Sequence, residues 1–230
     1  MKVFPVVHIR DEEIAHTQAK IALYEGADGV YLIDHHSHTP VRLFKVAELL
    51  NQAYPRSFVG INILGLKPSQ QLEQCGRALD SGSITRAPSA VWSDLRDSNN
   101  DAATLKGLDS RLRNVLTLGA ASFKYQDETE DPEISSELAR RAALYSDIVV
   151  TSGPGTGSPP SKEKVDAMKD AVDTLFGKEL AVASGVSPDN VSSLSSADQV
   201  LVSTSIETFK GSGVFNMDEL RRMIDMAHSL

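Results

Sequence analysis

Eight short β-rich runs, each separated from the next by a stretch of helical character, follow one another along the chain: "VFPVVHI", "GVYLID", "FVGINI", "SAVW", "VLTLGA", "DIVVTS", "ELAVAS" and "QVLVST". Strands that alternate with helices in this way build a parallel sheet covered by those helices. Between the runs, "EEIAHTQAKIALYEGAD" places Ile14, Ala15, Ala19, Ala22 and Leu23 at helical spacing and stops at Gly26, a residue suited to a helix C-terminus. "VRLFKVAELLNQAYP" and "KEKVDAMKDAVDTLFGK" behave alike and end at Pro or Gly. Eight such units in 230 residues predict an α/β fold, a single (β/α)8 TIM barrel occupying residues 1–230 as one domain; barrels of this kind run to about 250 residues. A doubly wound open sheet is the alternative, but no Gly-x-Gly-x-x-Gly follows the first strand as its dinucleotide-binding form requires. The fourth unit, between Ser81 and Asn114, is the least regular and reads as a broken strand, a long loop and one short helix.

Charge narrows the partners. With 23 basic and 31 acidic residues the chain carries a formal charge of −8, so no general attraction to nucleic acid or an anionic membrane is expected, and an anionic ligand has to be held locally. A single cysteine, Cys75, leaves no internal disulfide framework and fits a reducing compartment. The start "MKVFPVVHIRDEE" turns charged before an apolar leader develops, and no run reaches the roughly 18 apolar residues of a membrane span. The expectation is a cytoplasmic protein without membrane insertion, for which a homo-oligomer is compatible.

In a parallel barrel the C-terminal ends of the strands converge on one mouth, which is where chemistry collects. His8 closes the first run, Asp34 the second and Asn62 the third; Asp94 follows the fourth and Lys124 the fifth. His8 is suited to proton transfer, although a histidine taken alone at such a position reads first as a hydrogen-bonded core residue. Asp34 can orient His8, serve as a base, or cap a turn. Asn62 can hold a ligand oxygen or close its own loop. Lys124, in "GAASFKYQDE", can form an imine with a carbonyl or clamp an anion; its bland alternative is a surface pair with Asp127 or Glu128. His8, Asp34, Asn62 and Lys124 form the candidate catalytic set. In "DHHSHTP", His36 and His38 beside Asp34 offer ligand types for a divalent metal, but without recognised metal spacing. No cofactor is predicted.

Near the C-terminus, "ASGVSPDNV" joins the seventh run to a predicted short helix with Ser187 as its cap and Pro188 in its first turn. Helix starts hold phosphate, and barrels often do so between the loops after strands seven and eight. Ser184, Gly185, Val186 and Ser187, with Ser203, Thr204 and Ser205 of the eighth loop and Gly153 of the sixth, form the candidate phosphate set. The sixth loop, "SGPGTGSPP", mixes conformationally free glycines with rigid prolines. Gly155, Thr156 and Gly157 are therefore expected to form a shaped lid.

The segments "SITRAPSAVWSDLRD", "ASFKYQ", "DIVVTSGPGTGSPP", "ASGVSPDNV" and "DQVLVSTSIETFKGSG" together resemble the BtpA family, which includes SgcQ-like proteins, over most of the chain from about Phe58 onward. That resemblance implies a barrel related to phosphate-binding barrels, with His8 at the position of the family's histidine after the first strand. The chain departs from the family in reading "HIRDEE" where a Leu-Pro-Gly turn is common, Asp34-His35 where an acidic-Asn pair is common, and Ser203 where many phosphate-binding barrels place glycine. The expected function is an enzyme acting by acid/base chemistry, without a redox cofactor, on a small phosphorylated sugar or nucleotide-like metabolite. Two alternatives stand beside it: a non-catalytic assembly or stability factor, as the photosystem I role behind the BtpA name implies, and a metal-dependent hydrolase using His8, Asp34 and His36.

Overall fold

In a computed structural model that describes residues 1–35, 39–124, 126–155 and 157–230, eight parallel strands close into a barrel in sequence order. They are β1 (Lys2–His8), β2 (Val30–Ile33), β3 (Val59–Asn62), β4 (Ala90–Trp92), β5 (Leu116–Ala120), β6 (Ile148–Thr151), β7 (Glu179–Ala183) and β8 (Gln199–Val202). The ring closes where β1 pairs with β8, with Phe4 opposite Leu201. Seven α-helices cover the outside: α1 (Glu12–Tyr24), α2 (Val41–Ala53), α3 (Pro68–Asp80), α4 (Asp101–Leu108), α5 (Pro132–Ala143), α6 (Lys162–Phe176) and α7 (Met217–His228). The predicted helix after β7 is replaced by a 3-10 turn, Val191–Leu194. The irregular fourth unit keeps a strand of three residues and a helix of eight.

Local chemistry places the helix ends. Asp11 accepts hydrogen bonds from the Glu13 and Ile14 N–H groups at the start of α1, both at 2.9 Å. Asp131 does the same for α5, with Pro132 in its first turn. Such caps take up N–H groups that have no partner within the helix and stabilise it by about 1 kcal/mol each. At the end of α6, Gly177 adopts φ +58, a conformation that a Cβ makes costly.

Each strand is apolar on both faces, as a strand buried between helices and a barrel interior must be. Val30, Leu32, Val59, Ile61, Val200 and Val202 face the helices. Phe4, Val6, Tyr31, Ile33, Trp92, Leu118 and Leu201 fill the interior. The interior is aromatic on one side: Phe4 lies 5.6 Å from Tyr31, and Tyr31 lies 5.9 Å from Trp92, ring centre to ring centre. Gly60 makes room for Tyr31, since a Cβ at that position would fall inside the ring's van der Waals envelope. At the N-terminal end Glu179 closes the barrel, accepting from Lys2 and Gln199, each at 2.7 Å. Among the described residues no helix is long and apolar enough to cross a membrane.

Candidate active site

The strand parity that buries Phe4, Tyr31 and Trp92 also selects which tips reach the mouth. On β1 the inward positions Phe4 and Val6 are followed by His8, and on β4 the inward Ala90 and Trp92 are followed by Asp94. Both enter the wall of a cavity of about 380 Å³ at the C-terminal end of the barrel. His35 joins them from the end of β2, its ring stacked on that of His8 at 5.0 Å with 10° between the planes.

Lys124 reaches the same cavity by a kink. β5 ends at Ala120, Ser122 takes φ +45, and Phe123 turns into the barrel interior. Lys124 then lies on the wall, its N–H donated to Ser152 Oγ at 2.7 Å. The kink is held by Lys164 of α6, whose fully buried ammonium donates to Ser152 O at 2.7 Å and Ser122 O at 3.0 Å. Glu128 and Glu130 lie 3.5 and 3.6 Å from the same nitrogen. Burial lowers the Lys164 pKa, and the two carboxylates oppose that shift.

Asp94 is a perturbed acid on the wall of the mouth. Burial raises its pKa above the usual aspartate range, while Lys124, the Asn62 hydrogen bond and His35 pull the other way. A buried carboxyl whose pKa is raised and which faces a cavity suits proton transfer. In the sequence Asp94 is marked only by its place after the fourth strand. Asn62 is buried and donates to Asp94 Oδ1 at 3.4 Å, so it stands behind the carboxylate and off the cavity wall.

Asp34 lies elsewhere. It follows Ile33, an inward residue, and so takes the outward parity of Leu32. Its carboxylate is 3.7 Å from Arg42 of α2. Arg42 in turn donates to Ile9 O at 3.2 Å and Arg10 O at 2.6 Å. Asp34 is thereby connected to the loop that follows His8, and it is not on the cavity wall. His36 and His38 fall outside the described residues, among which no group of three or more His, Cys, Asp or Glu is placed to hold a metal ion.

Two loops form the other side of the cavity. After β7, Ser184 (φ +80) and Gly185 (φ +70) turn the chain. Val186 O accepts from Ser205 Oγ at 2.6 Å, which fastens this loop to the one after β8. The predicted cap is reversed: Ser187 donates its own N–H to Asn190 Oδ1 at 2.9 Å, and Asn190 donates back to Gly185 O at 2.8 Å. Pro188 starts a turn too tight for an α-helix, so Asn190, unmarked in the sequence reading, organises the loop and lines the cavity. Ser184, Gly185, Val186, Ser187, Ser203, Thr204 and Ser205 all lie on the wall. Thr204 and Ser205 begin a 3-10 turn whose first internal bond runs from Ile206 N to Ser203 O. Their N–H groups thus precede the internal bonding of that turn and are suited to an anion.

The glycine loop after β6 is fitted onto this region. Ser184 Oγ accepts from Gly157 N at 3.3 Å and donates to Gly155 O at 3.2 Å. A Cβ on either Gly153 or Gly185 would collide with the Ser158–Pro159 backbone. Gly153 is consequently packed beneath the loop and off the wall, whereas Gly157 and Pro159 reach it. Gly155 is off the wall with open space at its Cβ position, and Thr156 is outside the described residues.

No protein-family model matches the sequence, and no curated protein matches it. Solved structures do. Phosphoribosyl anthranilate isomerase from Thermus thermophilus superposes with a TM-score of 0.66 at 16% identity, covering 100% of this chain and 99% of its own. Tryptophan synthase subunit alpha from Legionella pneumophila str. Paris gives 0.68 at 13% identity, covering 100% and 93%. Thiamine phosphate pyrophosphorylase from Pyrococcus furiosus gives 0.61 at 11%, covering 99% and 96%. At these identities the likeness establishes the (β/α)8 fold.

Proposed function

We propose that this barrel is an enzyme that moves a proton within a small phosphorylated sugar or nucleotide-like metabolite, without a redox cofactor or a resident metal. The observation that carries the reading is the sharing of one cavity by Asp94, Lys124 and His8 with the two tied loops at Gly185–Val186 and Thr204–Ser205. Backbone N–H groups of those loops receive the phosphate. Asp94 takes a proton from the carbon beside a carbonyl, the Lys124 ammonium stabilises the charge that develops on the carbonyl oxygen, and the proton returns to the neighbouring carbon as the hydroxyl there becomes the new carbonyl. His8, stacked on His35, serves as the second proton carrier. The net reaction is an isomerisation; on a substrate with a hydroxyl β to the carbonyl, loss of that hydroxyl's proton to Asp94 and breakage of the Cα–Cβ bond releases a carbonyl compound and leaves the same enolate to be reprotonated, which makes it a lyase.

Support comes from two further directions. The names of two structural neighbours, phosphoribosyl anthranilate isomerase and thiamine phosphate pyrophosphorylase, refer to phosphorylated compounds. The segments that resemble BtpA and SgcQ-like sequences include "ASGVSPDNV" and "STSIETFKGSG", the two loops of the cradle, and we take the chain as a cytoplasmic relative of those barrels. An assembly role on a partner complex calls for a contiguous apolar face. The most exposed apolar side chains are dispersed, Tyr24 on α1, Val41 on α2, Leu108 on α4 and Phe209 in the loop after β8, although Leu49 shares α2 with Val41.

The test is a thermal-shift screen of phosphorylated metabolites, each paired with its dephosphorylated form. A ligand of the folded state raises the apparent melting temperature, and the expected result is a rise with phosphorylated members only. Equal shifts within every pair, or none, would overturn the phosphate reading.

A further inference from the structure

Beside the main cavity a second one, of about 260 Å³, opens between the loops after β1, β2 and β8. It shares His8, His35 and Thr204 with the main cavity, so the two are compartments of one mouth that meet at His8. Its distinctive feature is a pair of cations, Arg10 and Lys210. Among the described residues neither forms an ion pair. The acid of this compartment, Glu207, is engaged by its own loop, accepting from Gly211 N at 2.6 Å and from Ser203 Oγ at 3.5 Å.

Arg10 is set in place from both ends. Its carbonyl accepts from Arg42 at 2.6 Å. Its side chain lies across Gly211 and Gly213, where an added Cβ would come 3.3 Å from Nη2 and 3.6 Å from Cδ. Both glycines have positive φ, +79 and +68, which turns the β8 loop beneath the guanidinium at positions where larger residues are strained. In a chain of net charge −8, two exposed cations that line one cavity and have no ion pair among the described residues are a local exception that attracts an anion.

We infer that the metabolite carries a second anionic group, remote from its phosphate, and that Arg10 and Lys210 receive it. The inference rests on the phosphate reading of the main cavity and names the substrate class more closely: a short sugar or polyol chain with an oxyanion at each end, phosphate at one and phosphate or carboxylate at the other. Its reacting carbons then span the junction at His8 and Thr204. A planar guanidinium binds either group through paired N–H donors.

Inorganic phosphate tests this without knowledge of the substrate. Calorimetric titration of the intact protein is expected to show two phosphate sites, the Arg10→Gln/Lys210→Gln double variant keeping one and Gly185→Val losing the other, with Ser205→Ala as a milder second variant at the same loop. A single site that survives in the double variant and is lost in Gly185→Val would overturn this inference and leave the phosphate reading standing. No phosphate site at all would overturn both. Fructose 1,6-bisphosphate against fructose 6-phosphate, and 6-phosphogluconate against glucose 6-phosphate, then separate the two sources of the second anion. The doubly anionic member of one pair is expected to bind at least about tenfold tighter in wild type, an advantage that disappears in the double variant. Equal affinities within both pairs would count against the assignment.

Discussion

Asn62 Nδ2 lies 3.4 Å from Asp94 Oδ1 across the β3–β4 pair, so one inward-facing tip holds the next in place. The arrangement gives Asp94 a fixed orientation within a buried site. Because its pKa is raised in the folded state by burial, the native protein binds more protons than the unfolded chain once pH exceeds the ordinary aspartate value. Stability then falls as pH rises through the raised folded value. Asp94→Asn is expected to remove that loss, leaving the melting temperature at pH 7 equal to or above wild type, while turnover falls about 100-fold or more. Asp34→Asn, off the cavity wall and 3.7 Å from Arg42, is expected to be milder by at least about tenfold. Kinetics and melting curves of both variants across pH check the pair; equal loss of turnover in the two would reverse the roles assigned here.

Lys164 is expected to be a stability residue with a functional consequence. Replacing it by Met removes donors from Ser122 O and Ser152 O and leaves Glu128 and Glu130 without their shared cation. Breaking a buried ionic arrangement by deleting one partner costs about 3 kcal/mol or more. Urea denaturation measures the loss, and an unchanged midpoint would show that the ends of β5 and β6 hold without the clamp.

The glycines of the β6 and β7 loops are expected to divide by contact. Gly185→Ala sets a Cβ against the Ser158–Pro159 backbone at a position of φ +70, and Gly153→Ala does so from the other side. Both should weaken a phosphorylated ligand identified in the screen by about tenfold, or 1.4 kcal/mol. Gly155→Ala meets open space and should bind as wild type does. Titration of the three variants gives the comparison, and loss of affinity in Gly155→Ala alone would show that the packing of Ser158 and Pro159 is irrelevant to binding.

Gly60→Ala tests the barrel interior. Its methyl group would enter the space of the Tyr31 ring, which is fully buried and wedged against Phe4 and Trp92. Overpacking of this kind costs about 1 to 3 kcal/mol. Equilibrium unfolding should show the loss, and retention of wild-type stability would mean that the aromatic column can shift.

The eight strands were legible because each is a short apolar run bounded by turn residues, and the helices because their apolar spacing and caps are local properties. The convergence of strand ends on one mouth also makes His8, Lys124 and the loops at Gly185 and Ser203 legible in the sequence as residues of one cavity wall. The sequence could not show which face of each strand looks inward. Strands buried on both sides are apolar on both, so Asp34 and Asp94 both read as strand tips, with Asp34 alone in the candidate catalytic set, until closure of the barrel set Ile33 and Trp92 inside and sent the two carboxylates to opposite faces. Asn190 and Lys164 were hidden for a related reason. One reaches back three residues to cap a turn, and the other occupies the core phase of α6 with Met168, yet its acceptors are carbonyls just past the ends of β5 and β6. Element type follows from neighbours along the chain; side-chain partnership across the barrel depends on closure, and only the tertiary structure decides it.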